Sequence, residues 1–260
     1  MIRNLQIEWM KIKNYRVFQV FSVLYMLGIL IIIYMFYRIY LQLTTRLTGS
    51  DAKDMFNLFS EDNIWTTVCF STSFLLYLPG MIIITLFINE VNYKTHRQNI
   101  IDGWKRETFI YTKIGLILCI TVAVILMNIL ATFLMCLIVG TEFSILSGLD
   151  MLGYTFIQTF VYMMFALLLA TLFRRSGVAI IVFLVYGLLI EFLLMLLFWR
   201  VLPGGQHFLP LQVADSLITP DFKDGPFSAP PGKTVLIISA IAYASLYVYL
   251  AVRKYKYDDL

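Results

Sequence analysis

Six long runs of uncharged, mostly apolar residues dominate this chain and leave few folds open to it. Bounded by their flanking charged or polar residues, they cover 17–37, 63–89, 114–141, 151–173, 176–199 and 234–252, with lengths from 19 to 28 residues. One acid, Glu191, interrupts them. A helix rises 1.5 Å per residue, so a hydrocarbon layer of about 30 Å calls for about 20 such residues. Inside lipid a backbone must satisfy its own hydrogen bonds, which restricts spanning structures to helices and closed barrels. The runs lack the period-two alternation of barrel strands. The pattern therefore predicts an all-α polytopic membrane protein with six transmembrane helices, at 17–37, 66–89, 114–138, 151–173, 177–199 and 234–252. Composition excludes the soluble alternative: 60% of residues are apolar and 14% charged, against roughly half and a quarter in ordinary soluble domains. The first run is longer than a signal-peptide core, and no small-x-small cleavage site follows it.

The charges sort by side. Arg3, Lys11, Lys13 and Arg16 precede the first run, and Lys94, Arg97, Lys105, Arg106 and Lys113 lie between the second and third. Arg174 and Arg175 separate the fourth and fifth, and Arg253, Lys254 and Lys256 follow the sixth. These 14 basic residues share one side, while the other holds six. The positive-inside rule then places both termini in the cytoplasm. Six acids lie inside and nine outside, giving +8 (14 − 6) and −3 (6 − 9), with Glu191 between them. The overall net charge of +4 thus records orientation, and no nucleic-acid-binding module is indicated.

The polar segments are more specific than simple connectors. Residues 1–16 interleave Ile2, Leu5, Ile7, Trp9, Met10 and Ile12 with Arg3, Glu8, Lys11, Lys13 and Arg16. This predicts an amphipathic helix along the inner leaflet, in contact with membrane lipids; a soluble N-terminal turn is the other reading. The outer loop 38–62 reads as solvated acids, without calcium-loop spacing. The inner segment 90–113 carries its charges around Ile100, Ile101, Gly103 and Trp104. Those residues suit a short helix parallel to the membrane that faces a cytoplasmic partner; a plain basic loop is the alternative. The outer segment 200–233 contains six of the seven prolines. Within it, 208–218 is expected to form a short re-entrant or surface helix broken at Pro210. Residues 253–260 form a cytoplasmic tail.

Glu191 is expected to face the bundle interior, a cavity or a partner, because a lone carboxylate in lipid is costly. Three roles remain open for it: a carboxyl that locks two helices, a substrate-path residue, or a proton carrier. No second membrane-buried ionisable residue is apparent. Asn128 and Gln158 are read as hydrogen-bonding between helices. Cys69, Cys119 and Cys136 fall within helices and imply no disulfide.

Catalytic motifs are missing. Gly232-Lys233-Thr234 ends like a phosphate loop, but Phe227 stands where the first glycine is required. No HExxH, GxSxG or CxxC occurs. His96, Arg97 and Asp102 could suggest a lipid-headgroup hydrolase, but no nucleophile accompanies them. On composition alone a channel, a transporter, a scaffold or a sensor stays possible.

The segment after the second run carries a more telling pattern, ExxxxTxRxxxxxGWKRxxFxxxK, built on Glu90, Thr95, Arg97, Gly103-Trp104, Lys105-Arg106, Phe109 and Lys113. Together with the opening Leu5-Gln6-Ile7-Glu8-Trp9-Met10-Lys11, it resembles the ABC-2 type permease subunits of ATP-binding cassette transporters. The bacitracin/lantibiotic-immunity-type branch is the most similar. Gly103-Trp104 stands where many relatives have a proline-containing turn. The resemblance implies a type V exporter-like bundle and a half-permease in a bacterial cytoplasmic (inner) membrane. It also implies two kinds of partner: a separate ABC ATPase subunit, which binds ATP and Mg, and a second or homologous permease. No cofactor and no catalysis are expected in this chain. Glu90, Thr95, Arg97, Trp104, Arg106 and Lys113 would form the ATPase-coupling interface. Segment 200–233 would cap the pathway, with Glu191, Asn128 and Gln158 as its polar or packing residues. Hydrophobic peptides, antibiotics or lipid-like molecules are the substrates implied, including antibiotic peptide export. A non-transporting scaffold or sensor, and an ATP-independent secondary transporter, are the alternatives; the inverted repeat that the latter might show is not visible.

Overall fold

The computed structural model describes residues 2–46, 60, 63–93, 106–173, 175–202, 204–219 and 230–257. Among them all regular structure is helical, and six helices are long and apolar enough to cross a membrane. An N-terminal helix, α1 (Ile2–Lys13), precedes α2 (Arg16–Arg46), which carries the first span. The second span combines α3 (Ile64–Ser73), a tight 3-10 turn (Phe74–Leu76) and α4 (Tyr77–Asn92). The third lies in α5 (Arg106–Val139) and the fourth runs through α6 (Leu149–Leu172). The fifth is α7 (Ser176–Val185), a π-helical turn (Tyr186–Ile190) and α8 (Glu191–Val201). A 3-10 turn (Gly205–Phe208) and the short α9 (Gln212–Asp215) follow. The sixth span is in α10 (Lys233–Tyr257).

Spans two and four form the hub. Their most apolar stretches are 67% and 72% buried, against 17% for spans one and five, so the latter two present most of their apolar surface outward. Without a hydrophobic drive between helices in lipid, close packing must hold such a hub together. Two glycine notches provide such packing between spans two and five. A Cβ at Gly80 of span two would stand 2.5 Å from Cε1 of Phe183, and one at Gly187 of span five would stand 2.5 Å from Oη of Tyr77. Each span thus receives a ring of the other where a side chain is missing. At the opposite end Phe109 stacks on Tyr255 at 5.1 Å, and Phe87 lies 5.7 Å from Phe109. That cluster joins spans two, three and six.

The interruption of span two has a local cause. Pro79 has no N–H to offer the carbonyl of Leu75, and its ring crowds that carbonyl; the 3-10 turn of span two sits just before it. The π turn of span five contains Gly187 and ends immediately before Glu191. A π turn adds a residue to one helical turn, and so resets the face on which Glu191 emerges.

Candidate functional site

Polar residues gather at the two ends of the bundle. At the inner end the centre is Lys113, in the second turn of α5 and 2% exposed. Its Nζ donates to Oε2 of Glu8 on α1 and, at 2.7 Å, to Oε1 of Glu90 near the end of α4. The same ammonium lies 5.1 Å from the centroid of the Phe109 ring, within cation–π range. Lys11 adds a second cation to Glu8 at 3.3 Å. Two carboxylates and two ammonium groups therefore balance, as buried charges must. Beside them Asn89 donates to the Tyr15 hydroxyl. Burial alone would raise the Glu8 carboxyl, but Lys113 and then Lys11 more than offset this and hold Glu8 below the ordinary glutamate value of 4.5.

The cluster matters for its position in the chain. Glu90 and Lys113 lie on either side of 94–105, and their contact joins the end of α4 to the start of α5 and fastens both to α1. Of the residues expected to couple to an ATPase, Glu90 and Lys113 are thus in direct contact. Thr95, Arg97 and Trp104 lie outside the described residues. Arg106 opens α5, and its side chain is outside the description.

At the outer end Glu191 is 3% exposed. Its Oε1 accepts the backbone N–H groups of Leu211 at 2.6 Å and Gln212 at 2.8 Å. A helix N-terminus leaves such donors without partners, and Glu191 supplies the acceptor for the first turn of α9. Asp215, at the other end of α9, accepts from Gln158 Nε2 at 2.8 Å and from the Tyr162 hydroxyl at 2.9 and 3.0 Å. The Tyr243 and Tyr247 hydroxyls donate to the carbonyls of Phe208 and Pro210, at 2.9 and 3.3 Å. Residues 205–219 are therefore tied to spans four, five and six at once. Glu191, Asp215, Tyr77 and Tyr162 border a cavity of about 140 Å³ walled also by Phe74 and Met195.

The structure adds an acid to the sequence expectation. Asp215, counted there among outer-loop acids, reaches Gln158 near the middle of span four, so Glu191 does not stand alone. Burial pushes Asp215 up to about 6, with the Gln158 and Tyr162 hydrogen bonds offsetting only part of the rise. The folded chain then holds this proton to higher pH than an unfolded aspartate at 3.8. Stability associated with Asp215 is greatest below 3.8 and declines as pH rises through about 6. The stability advantage of Asp215→Asn over the wild type is therefore expected to grow between pH 4 and pH 7 in thermal unfolding of the detergent-purified chain. A difference that stays flat across that window contradicts this account.

Asn128 bonds Thr72 and donates to the Val124 carbonyl at 3.0 Å, linking spans two and three. His207, 1% exposed, bonds Ser216 at 2.9 Å. Lys233, of the phosphate-loop look-alike, lies 4.7 Å from the Tyr154 ring centroid. Glu8 and Asp215 were the residues that sequence reasoning passed over, and each carried a signal. Glu8 is four residues before Ile12, on the same face of an amphipathic helix. Asp215 is the one acid in the apolar run Phe208–Ile218.

The family model described as "ABC-2 family transporter protein" matches residues 4–190. No curated protein and no solved structure matches the chain. The matched stretch includes Glu8, Glu90 and Lys113 and ends one residue before Glu191.

Proposed function

The chain belongs to the ABC-2 family of transporter proteins, multi-pass membrane components of transport systems, and from that premise we propose that it is the permease subunit of an ATP-driven exporter. In this reading two permease copies, or this chain and a homologue, enclose the pathway in a bacterial inner membrane. A separate ATPase subunit binds ATP and Mg and docks on the stretch between spans two and three. ATP-driven closure of the ATPases shifts that stretch, and the bundle changes access between two states.

One observation carries the proposal: the Glu8–Lys113–Glu90 cluster. A docking segment can move a membrane body only if its ends are fastened to something rigid. Here both ends meet in a buried ion cluster that also holds α1. On the cargo side, the aromatic walls and carboxylates of the outer cavity would form one polar point of a path for an amphipathic molecule, the cavity itself being smaller than such a cargo. Hydrophobic peptides, antibiotics or lipid-like molecules are the classes proposed, as in the bacitracin/lantibiotic-immunity branch. The test is copurification of the chain with its ATPase from native membranes, followed by ATPase assay. Arg97→Ala, Trp104→Ala and Arg106→Ala are expected to weaken assembly or lower the ATPase rate severalfold. Unchanged assembly and rate in all three would remove the docking assignment, and absence of any copurifying ATPase would favour a scaffold or a secondary transporter.

A further inference from the structure

A second cavity lies beside the inner cluster, between α1 and spans one, two and three. Its volume is about 180 Å³, and its walls are almost wholly apolar, with Ile12, Phe18, Met26, Leu116, Ala123 and Met127 among them. Along span one it extends from Phe18 to Met26, and along span three from Leu116 to Met127. At 1.5 Å per residue those distances are about 12 and 16 Å. A hydrocarbon core of about 30 Å has leaflets of about 15 Å, so the slot runs from the membrane surface to the bilayer middle and stops there.

Its mouth is an interface. Trp9 and Phe18 meet edge to face at 6.2 Å, and Trp9 is 56% exposed, the disposition of an interfacial tryptophan. The elbow between the two lining elements α1 and α2 carries Lys13 and Arg16, both exposed. Among the described residues neither side chain makes an ion pair or hydrogen bond, whereas Lys11 and Lys113 are engaged by Glu8 and Glu90. The Gln19 amide donates to the Lys13 carbonyl at 3.1 Å and fixes the elbow.

We propose that this slot binds one acyl chain of an anionic phospholipid from the leaflet in which α1 lies, with Lys13 and Arg16 holding the phosphate headgroup. The depth of the slot matches a single leaflet, its walls match hydrocarbon, and the exposed cations of the adjoining elbow complement an anionic head. The lipid would touch α1 and spans one to three; α1 and spans two and three are also joined by the inner ion cluster. The site is separate from cargo transport and does not depend on an ATPase partner.

The test is native mass spectrometry of the full chain in detergent, with equimolar phosphatidylglycerol and phosphatidylcholine of identical acyl chains. The wild type is expected to retain phosphatidylglycerol with a preference of roughly tenfold or more, the scale that two surface cations give. The double variant Lys13→Gln/Arg16→Gln should lose that preference. Ala123→Phe, which fills the slot from an exposed position, should lose retention of both lipids. Unfolding temperature and elution volume report that each variant stays folded; both substitutions lie at exposed sites. Equal retention of the two lipids by the wild type overturns the proposal, as does an unchanged preference in Lys13→Gln/Arg16→Gln or unchanged retention in Ala123→Phe.

Discussion

Replacing Lys113 with Met is expected to destabilise the chain by about 3–5 kcal/mol, the usual result of removing one partner from a buried ion pair. Met preserves most of the volume, so packing against Phe109 changes little and the loss is electrostatic. Glu8, 1% exposed, would keep only Lys11 at 3.3 Å, and Glu90 would lose its 2.7 Å partner. Adding Glu8→Gln to Lys113→Met should restore part of the loss, because a neutral amide tolerates that environment. Folded Glu8 is held below 4.5, so its contribution is present above that value and lost as pH falls through the lower folded value. The gap between wild type and Lys113→Met should accordingly be full at pH 7 and shrink below about pH 4.5. Unfolding of the purified chain at both pH values, with the double variant closing the cycle, checks it. Equal stability of Lys113→Met and the wild type at pH 7 would show that the cluster does not hold α1 to the bundle.

The division between what was legible in the sequence and what was not follows from the kind of information each feature needs. Hydropathy is local and cumulative, so six runs such as 114–141 declare six spans without any tertiary knowledge. Glu90 and Lys113 stood out because they end a charged segment and fit a family pattern. Their contact was not legible, since it depends on how two spans return to the same level of the membrane. Glu8 was read as one charge among several in an amphipathic stretch; its burial follows only from α1 turning that face toward Lys113. Asp215 lies in a long outer loop, where sequence alone marks it as one solvated acid among nine. Its bonds to Gln158 and Tyr162 require 205–219 to fold back against span four, and Pro210 and Glu191 make that return possible in ways no spacing rule encodes. The break in span two had a visible cause in Pro79, whereas the π turn before Glu191 had no comparable sequence mark.

Glu191→Ala is expected to release the outer element, whereas Glu191→Gln is expected to leave it in place. The carboxylate accepts two N–H groups on one oxygen, from Leu211 and Gln212, which are 0% and 6% exposed. Alanine leaves both donors without a partner, at about 1–3 kcal/mol each if water does not reach them. The adjoining cavity gives water a route, which places the loss toward the lower end. Glutamine retains a carbonyl oxygen at the same reach and removes only the charge. Hydrogen exchange of 205–219 is the direct measurement: Glu191→Ala should accelerate it by one to two orders of magnitude, as loss of about 1.4 to 2.8 kcal/mol implies. Glu191→Gln should stay close to wild type. The pair also separates the helix-lock role of this residue from the substrate-path role. If Glu191 is a helix lock, export by Glu191→Gln matches wild type while Glu191→Ala fails. If its charge forms part of the cargo path, Glu191→Gln keeps its exchange protection but loses export. Unaltered protection in Glu191→Ala would contradict the lock itself. The lock carries mechanical weight because Asp215, Tyr243 and Tyr247 fasten the same element to spans four and six. Span five meets that element at Glu191, directly after its π turn, so a change in the pitch of span five is passed to the outer cap through this carboxylate.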